Sequence, residues 1–92
     1  GSAPRLEGTV GTFQLTRATT RVGRGADADI KLDDPGVSRH HAEIRVGGHD
    51  VVIKDLGSTN GTYVNGTLIA EQPLRDGNVI TIGSTHLTFR SM

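Results

Sequence analysis

The sequence predicts an all-β fold. Thirteen glycines and three prolines cut its 92 residues into short segments, and no window of helical length carries an unbroken apolar pattern near a 3.6-residue period. Between the cuts lie short β-branched runs at close spacing, the pattern of a sandwich or barrel.

The runs, in order, are Leu6-Val10, Phe13-Leu15, Thr20-Val22, Ile30-Lys31, Ala42-Val46, Val51-Asp55, Tyr63-Val64, Leu68-Ile69, Val79-Ile82 and His86-Arg90. Each is rich in residues that pack well on a pleated surface and is bounded by turn-formers. Asn60-Gly61 and Asn65-Gly66 both supply residues that tolerate the positive φ of tight hairpin turns, and Asp76-Gly77 is a third such pair. Residues 1–4 read as a cloning remnant or flexible tail and residues 5–92 as one domain, with no linker, internal repeat or low-complexity stretch.

Composition narrows the chemistry. Hydrophobic content is 34% and no apolar run approaches the roughly 20 residues of a membrane-spanning helix, so no membrane contact is expected. Cysteine is absent, which removes disulfides and thiolate metal sites and fits a reducing cytoplasm. Ten basic residues balance ten acidic ones, so the broad positive field of a non-specific nucleic-acid binder is missing. Eight of the ten basic residues are arginine, whose planar fork matches phosphate or carboxylate at two points. A chain of this size has little room for an internal cofactor cavity, and no cofactor or metal is expected.

Three polar clusters fall where strands end: Gly23-Arg24-Gly25, Ser38-Arg39-His40-His41, and Ser58-Thr59-Asn60-Gly61-Thr62. Together they offer guanidinium groups, hydroxyls, an amide and pliable backbone with no carboxylate among them, a donor-rich set that suits an anion. In this order the clusters resemble the forkhead-associated (FHA) family, whose pattern is a Gly-Arg pair, a Ser-x-x-His box and an Asn-Gly pair. The likeness runs from about Thr20 to Phe89 and includes the stretch from Asp55 to Gly66.

The resemblance implies two β-sheets packed face to face, about ten or eleven mainly antiparallel strands, with binding loops at one end. It also implies recognition of phosphothreonine on partner proteins, since FHA domains are themselves a standard instance of phospho-motif reading by arginine. A phosphothreonine carries about −1.5 to −2 charge and three strong acceptors, so its site needs fixed donors and a cation. By this resemblance Arg24 supplies the charge, Ser38 a hydroxyl, Arg39 a second cation or a backbone N–H, Thr59 completes the cradle, and Asn60 holds the peptide main chain. Gly23, His41, Gly61 and Asn65 support the site, His41 from beneath the loop without touching phosphate. The implied partner is a phosphothreonine protein in a Ser/Thr-kinase pathway, the kinase or its substrate, bound by a monomeric domain without catalysis.

Other readings compete. Arg24 could pair with Asp27 or Asp29 as an exposed ion pair. Ser38, His41 and Asp55 could form a nucleophile, base and orienter, although no Gly-x-Ser-x-Gly elbow is present. A nucleic-acid reading needs aromatic platforms, and Phe13, Tyr63 and Phe89 are the only aromatics. Residues 23–28 match a dinucleotide fingerprint by spelling, but only a few residues precede Asp34-Pro35-Gly36, too few for the helix such a motif opens. Asp27 and Asp29 hint at a calcium loop that Lys31 interrupts. His40, His49 and His86 have no partner at ligand spacing and read as surface or edge residues. A last alternative keeps the fold but binds an unphosphorylated surface or the parent protein's own phosphorylated tail. Gly36 offers no side chain to read residues beyond the phosphothreonine, which leaves that task to Arg39, His40 or the loop near Gly83-Ser84.

Overall fold

In the longer strands buried residues alternate with more exposed ones, as at Thr20 and Val22, Ala42 and Ile44, and Ile80 and Ile82, which is the signature of a sheet covered on one face. A computed structural model describes residues 3–91. Its strands are β1 (Arg5–Gly8), β2 (Gly11–Gln14), β3 (Thr19–Gly23), β4 (Ile30–Lys31), β5 (Ala42–Val46), β6 (Val51–Asp55), β7 (Thr62–Val64), β8 (Thr67–Ile69), β9 (Glu71–Pro73), β10 (Val79–Ile82) and β11 (Thr85–Arg90). They form one sheet ordered β2-β1-β11-β10-β7-β8 and a second ordered β4-β3-β5-β6-β9.

The inner faces of the two sheets make the core. The first contributes Leu6, Val64, Ile80, Ile82, Leu87 and Phe89, and the second Val22, Ile30, Ala42, Ile44 and Ile53. Each large aliphatic or aromatic side chain taken fully out of water contributes about 1.5–3 kcal/mol toward folding. Leu32 and Val37, both buried, belong to the loop between β4 and β5 and nail it to the core. The outer face of the second sheet carries a row of alternating charge, Arg21 opposite Glu43, Glu43 opposite Lys54 and Lys54 opposite Glu71. The outer face of the first sheet has instead Leu68 opposite Tyr63 and Tyr63 opposite Thr81.

Several expectations need correction. Thr9 and Val10 do not extend β1: Gly8 pairs with Gly11, and the two residues form the turn between, with Val10 53% exposed. Leu15 ends outside β2, although it is buried and its N–H donates to the Pro4 carbonyl at 2.8 Å. β9 escaped the sequence reading because Glu-Gln-Pro is polar and contains proline. It lies at the sheet edge, where a missing N–H costs no ladder bond. The β3–β4 pair is parallel, the single such pairing among the described strands. Asn65-Gly66 is the expected two-residue hairpin, with φ of 49° and 81° joining β7 to β8. Asn60-Gly61 is not: only Gly61 has positive φ, and the pair sits in a longer loop between β6 and β7. The remnant expected at Gly1 and Ser2 lies outside the described residues.

Because β4 runs parallel to β3, the chain must travel back along the sheet between them and forward again through β4, and it reverses once more into the antiparallel β5. The loop after β4 therefore ends up beside Gly23-Arg24, at the same end as the β6–β7 and β10–β11 loops. Topology is what collects the three polar clusters.

Candidate functional site

Residues 23–25 run alongside residues 37–39. Arg24 N–H donates to the Ser38 carbonyl at 3.0 Å and Gly25 N–H to the Arg39 carbonyl at 3.2 Å. Position 23 has to be glycine, since a Cβ there would overlap the Arg39 carbonyl oxygen. Arg24 Nε donates to the Val37 carbonyl at 2.9 Å, which fixes the guanidinium and leaves its two terminal amino groups free. No carboxylate approaches Arg24 within ion-pair distance among the described residues. Asp29 takes Arg21 N–H and Arg17 instead, and Asp27 lies 3.9 Å from His40. The simple ion-pair reading of Arg24 is thereby overturned. Arg39 is exposed and, among the described residues, also without a carboxylate partner.

His41 is fully buried and joins two loops. Its Nδ1 accepts from Ser38 N–H at 3.0 Å and its Nε2 donates to the Gly61 carbonyl at 2.8 Å, which assigns the ring proton to Nε2. Ser38 Oγ accepts from Thr59 N–H at 3.0 Å, so its own hydroxyl proton remains to be donated. Asn60 Nδ2 donates to the Gly36 carbonyl at 3.0 Å, leaving one amide N–H and the Oδ1 acceptor. Gly61 has φ of 88°, a conformation in which a side chain is strained. Arg24, Ser38, Arg39, Thr59 and Asn60 thus converge, with Gly23, His41 and Gly61 holding them from behind. Asn65 does not join them. It sits in the β7–β8 hairpin at the far end, where its Oδ1 accepts from Val79 N–H at 2.8 Å.

Three supports were missed by sequence reasoning. Asp34 Oδ1 accepts from Gly36 N–H at 2.8 Å, and its Oδ2 accepts from Ser84 N–H at 2.8 Å and Thr85 Oγ1 at 3.0 Å, tying the β4–β5 loop to the β10–β11 loop. The Gly36 N–H and the other donors hold the Asp34 carboxyl below its ordinary pKa. Asp55 accepts from Ser58 Oγ at 2.6 Å, Thr62 Oγ1 at 2.7 Å and the N–H groups of Gly57 and Ser58, each at 3.0 Å. Burial pushes the Asp55 carboxyl up, but these four donors outweigh it and hold it below the usual range. Ser58 is the third, its Oγ also accepting from Gly61 N–H at 2.9 Å.

This geometry does not assemble a catalytic triad. It is the Ser38 N–H, not its hydroxyl, that meets His41, and Asp55 bonds Ser58 and Thr62 instead of the imidazole. Nor does residues 23–28 open a helix; β4 follows. What remains is a shallow set of free donors around an unpaired guanidinium, open to solvent and suited to an oxyanion.

Comparison with known proteins gives this arrangement a family. The FHA domain family model matches residues 20–83, the span from β3 to β10 that carries every one of the converging residues. The chain belongs to the FHA domain family. The domain is 44% identical over 84 residues to FhaA of Mycobacterium tuberculosis, covering 91% of this chain and 16% of that protein. It is 46% identical over 77 residues to the glycogen accumulation regulator GarA of Mycolicibacterium smegmatis, covering 84% of this chain and 49% of that one. The chain thus spans between about a sixth and half the length of these curated relatives. Among solved structures, an FHA domain studied for phosphothreonine-dependent interactions superposes with a TM-score of 0.93 at 40% identity, covering 99% of this chain and 98% of the other. The FhaA FHA domain complexed with the intracellular domain of Rv3910 gives 0.91 at 41% identity, covering 96% and 100%. EmbR of M. tuberculosis, in complex with a low-affinity phosphopeptide, gives 0.94 at 39% identity, covering 98% of this chain and 24% of EmbR.

Proposed function

We propose that this FHA domain binds phosphothreonine-containing segments of partner proteins in Ser/Thr-kinase signalling, and that Arg24, Ser38, Arg39, Thr59 and Asn60 make the contacts. The observation that carries the reading is Arg24: a guanidinium fixed by one backbone carbonyl, unpaired by any carboxylate among the described residues, beside a serine whose hydroxyl proton is uncommitted. A site built to hold a dianion needs a positioned cation and spare donors, and here both stand ready before the ligand arrives.

In this reading the Arg24 terminal amino groups and the Ser38 hydroxyl bind phosphate oxygens, with Arg39 adding charge and Thr59 closing the cradle. The free half of the Asn60 amide offers one donor and one acceptor, the pair a peptide main chain presents in return. The related regulator and the complexes with phosphopeptide and with an intracellular domain support this assignment. A reducing cytoplasm suits a chain without cysteine, and a small peptide contact suits a monomeric, transient reader of a kinase or its substrate.

Calorimetric titration tests the reading, with a degenerate phosphothreonine library and its unphosphorylated twin run against the wild type and Arg24→Ala. Charge-assisted hydrogen bonds are worth about 1.5–3 kcal/mol each, so losing the Arg24 pair should abolish measurable binding of the phosphorylated library. Equal binding of both libraries, or no change in the mutant, would overturn it. Aspartate or glutamate in place of phosphothreonine, with one charge and two oxygens, should bind at least tenfold more weakly.

A further inference from the structure

The site is braced in two halves. Arg24 Nε donates to the Val37 carbonyl, and Ser38 bonds the His41 ring through its N–H and the Thr59 N–H through its hydroxyl oxygen. Asn60 is held by another route. Its Nδ2 donates to the Gly36 carbonyl at 3.0 Å, so the direction in which the rest of the amide faces follows the direction of that carbonyl. Whatever fixes Gly36 therefore fixes the group assigned to a partner's main chain.

Gly36 lies in the turn Asp34-Pro35-Gly36-Val37, closed by the Val37 N–H on the Asp34 carbonyl at 3.0 Å. A trans peptide points its N–H and C=O in opposite directions, so the turn that draws the Val37 N–H inward sends the Gly36 carbonyl out toward Asn60. The Asp34 carboxylate braces this turn against a second loop: Oδ1 holds the Gly36 N–H, while Oδ2 holds the Ser84 N–H and the Thr85 hydroxyl. No other side-chain hydrogen bond joins these two loops among the described residues. The fit is close. A Cβ on Gly83, where φ is 61°, would lie 2.8 Å from Asp34 Oδ2, and one on Gly36 would lie 3.2 Å from the Gly83 Cα. Glycine at both positions lets the loops meet at the carboxylate.

We propose that Asp34 is a positioning residue for the main-chain half of the site: through Gly36 it sets the Asn60 amide, and it makes the β10–β11 loop, which carries none of the proposed contact residues, part of the grip on the partner's backbone. The inference rests on the phosphothreonine reading above, since that reading gives Asn60 its ligand. The phosphate half does not depend on Asp34. Leu32 before the turn and Val37 at its end are both buried, and the side-chain bonds of Arg24, Ser38 and His41 run to one another's loops and not to the Asp34 carboxylate. Loss of the carboxylate therefore frees the Gly36 carbonyl and leaves the cation and the hydroxyl in place.

The test compares the wild type with Asp34→Ala, Asp34→Asn, Thr85→Val, Asn60→Ala and the double variant Asp34→Ala/Asn60→Ala. Asparagine at 34 keeps the shape but turns an NH2 group toward the Gly36 or the Ser84 N–H, and valine at 85 removes one donor from a side chain of the same outline. In the free protein, followed by NMR, the Asn60 side-chain amide should exchange its protons with solvent faster in both Asp34 variants, while the Arg24 Nε proton should not. With a phosphothreonine peptide selected on the wild type, both Asp34 variants should lose about tenfold in affinity, the worth of one to two neutral hydrogen bonds, and Thr85→Val about twofold. In the double variant the Asp34 substitution should cost nothing beyond Asn60→Ala, and affinity for inorganic phosphate should be the same in all. Additive losses in the double variant, weaker binding of inorganic phosphate by the Asp34 variants, or an Asn60 amide undisturbed in them overturns the proposal and leaves the phosphothreonine reading standing. Absence of phosphate-dependent peptide binding in the wild type overturns that reading, and the grip on a partner with it.

Discussion

The two ends of the sandwich hold their loops by different means. At the end carrying the turns at 47–50 and 65–66, the turns close mainly on themselves, with Gly47 N–H to the Asp50 carbonyl at 2.8 Å and Asn65 and Gly66 in the left-handed region between paired strands; side chains there reach 14 residues, from Asn65 to Val79, and 15, from Asp76 to Ser91. At the other end the struts are side chains reaching across the chain. His41 spans 20 residues to Gly61, Ser38 spans 21 to Thr59, Asn60 spans 24 to Gly36, and Asp34 spans 50 to Ser84. Loops fixed by their own backbone tolerate neighbours that change. Loops fixed to one another must move together, and that interdependence presents free donors in one geometry before any ligand binds.

The sharpest way to break the contrast is to remove the central strut. His41→Ala leaves the Ser38 N–H and the Gly61 carbonyl unpaired and opens a cavity where a fully buried ring stood. The expected cost is about 3–5 kcal/mol in chemical denaturation, with phosphopeptide binding lost in whatever fraction stays folded. Binding that survived intact in the folded mutant would show that the two loops find their positions independently.

The acid end of the pH scale probes two further struts. Asp34 and Asp55 both have carboxyls held below their ordinary pKa by hydrogen bonds, those to Asp34 from Gly36, Ser84 and Thr85 and those to Asp55 from Ser58, Thr62 and Gly57. Their stabilising contribution is therefore complete above the unfolded-state value of about 3.9 and is lost as pH falls through the lower folded-state value. Melting temperature should fall steeply below about pH 4, and Asp55→Asn should start lower but fall less steeply over that range. Peptide affinity should weaken earlier, as the phosphate takes up a proton near pH 6. Coincidence of the two profiles would mean that binding is lost by unfolding of the loops and not by neutralisation of the ligand.

The same contrast explains what could be read from the sequence. Strands such as Ala42–Val46 and Val79–Ile82 carry their alternation locally, and Asn65-Gly66 carries its turn locally, so they were legible to the residue. β9 was not, because its place is set by Val52 and Ile53 on the neighbouring strand and not by its own composition. Within the site, the ordered motifs pointed to Arg24, Ser38 and Asn60, and these meet. Asp34 reads as part of a turn because nothing near it in sequence announces its partners Ser84 and Thr85 in another loop, and Asp55 reads as the end of a strand although its donors Gly57, Ser58 and Thr62 follow closely. Asn65 is expected only as a structural support of the site, yet it and Asn60, each followed by Gly-Thr, face opposite ends of the sandwich.

Asn65 gives the smallest and most discriminating test. Its φ of 49° is unfavourable for most side chains, and its Oδ1 caps the Val79 N–H. Asn65→Ala should therefore cost about 1 kcal/mol, from the strain of alanine in the left-handed region and one lost bond to a solvent-exposed donor. Because that turn and its bonds to Val79 both lie at the end away from the site, the loss should stay there: denaturation shifts, and phosphopeptide affinity, measured well below the unfolding transition, does not change. Gly66→Ala, at φ of 81° with open space around it, should behave alike for the backbone reason alone. A fall in affinity in either variant would mean that β7, which leads from this hairpin into Thr62 and the Asp55 network, transmits strain the length of the sheet, and the two ends would then be one mechanical unit.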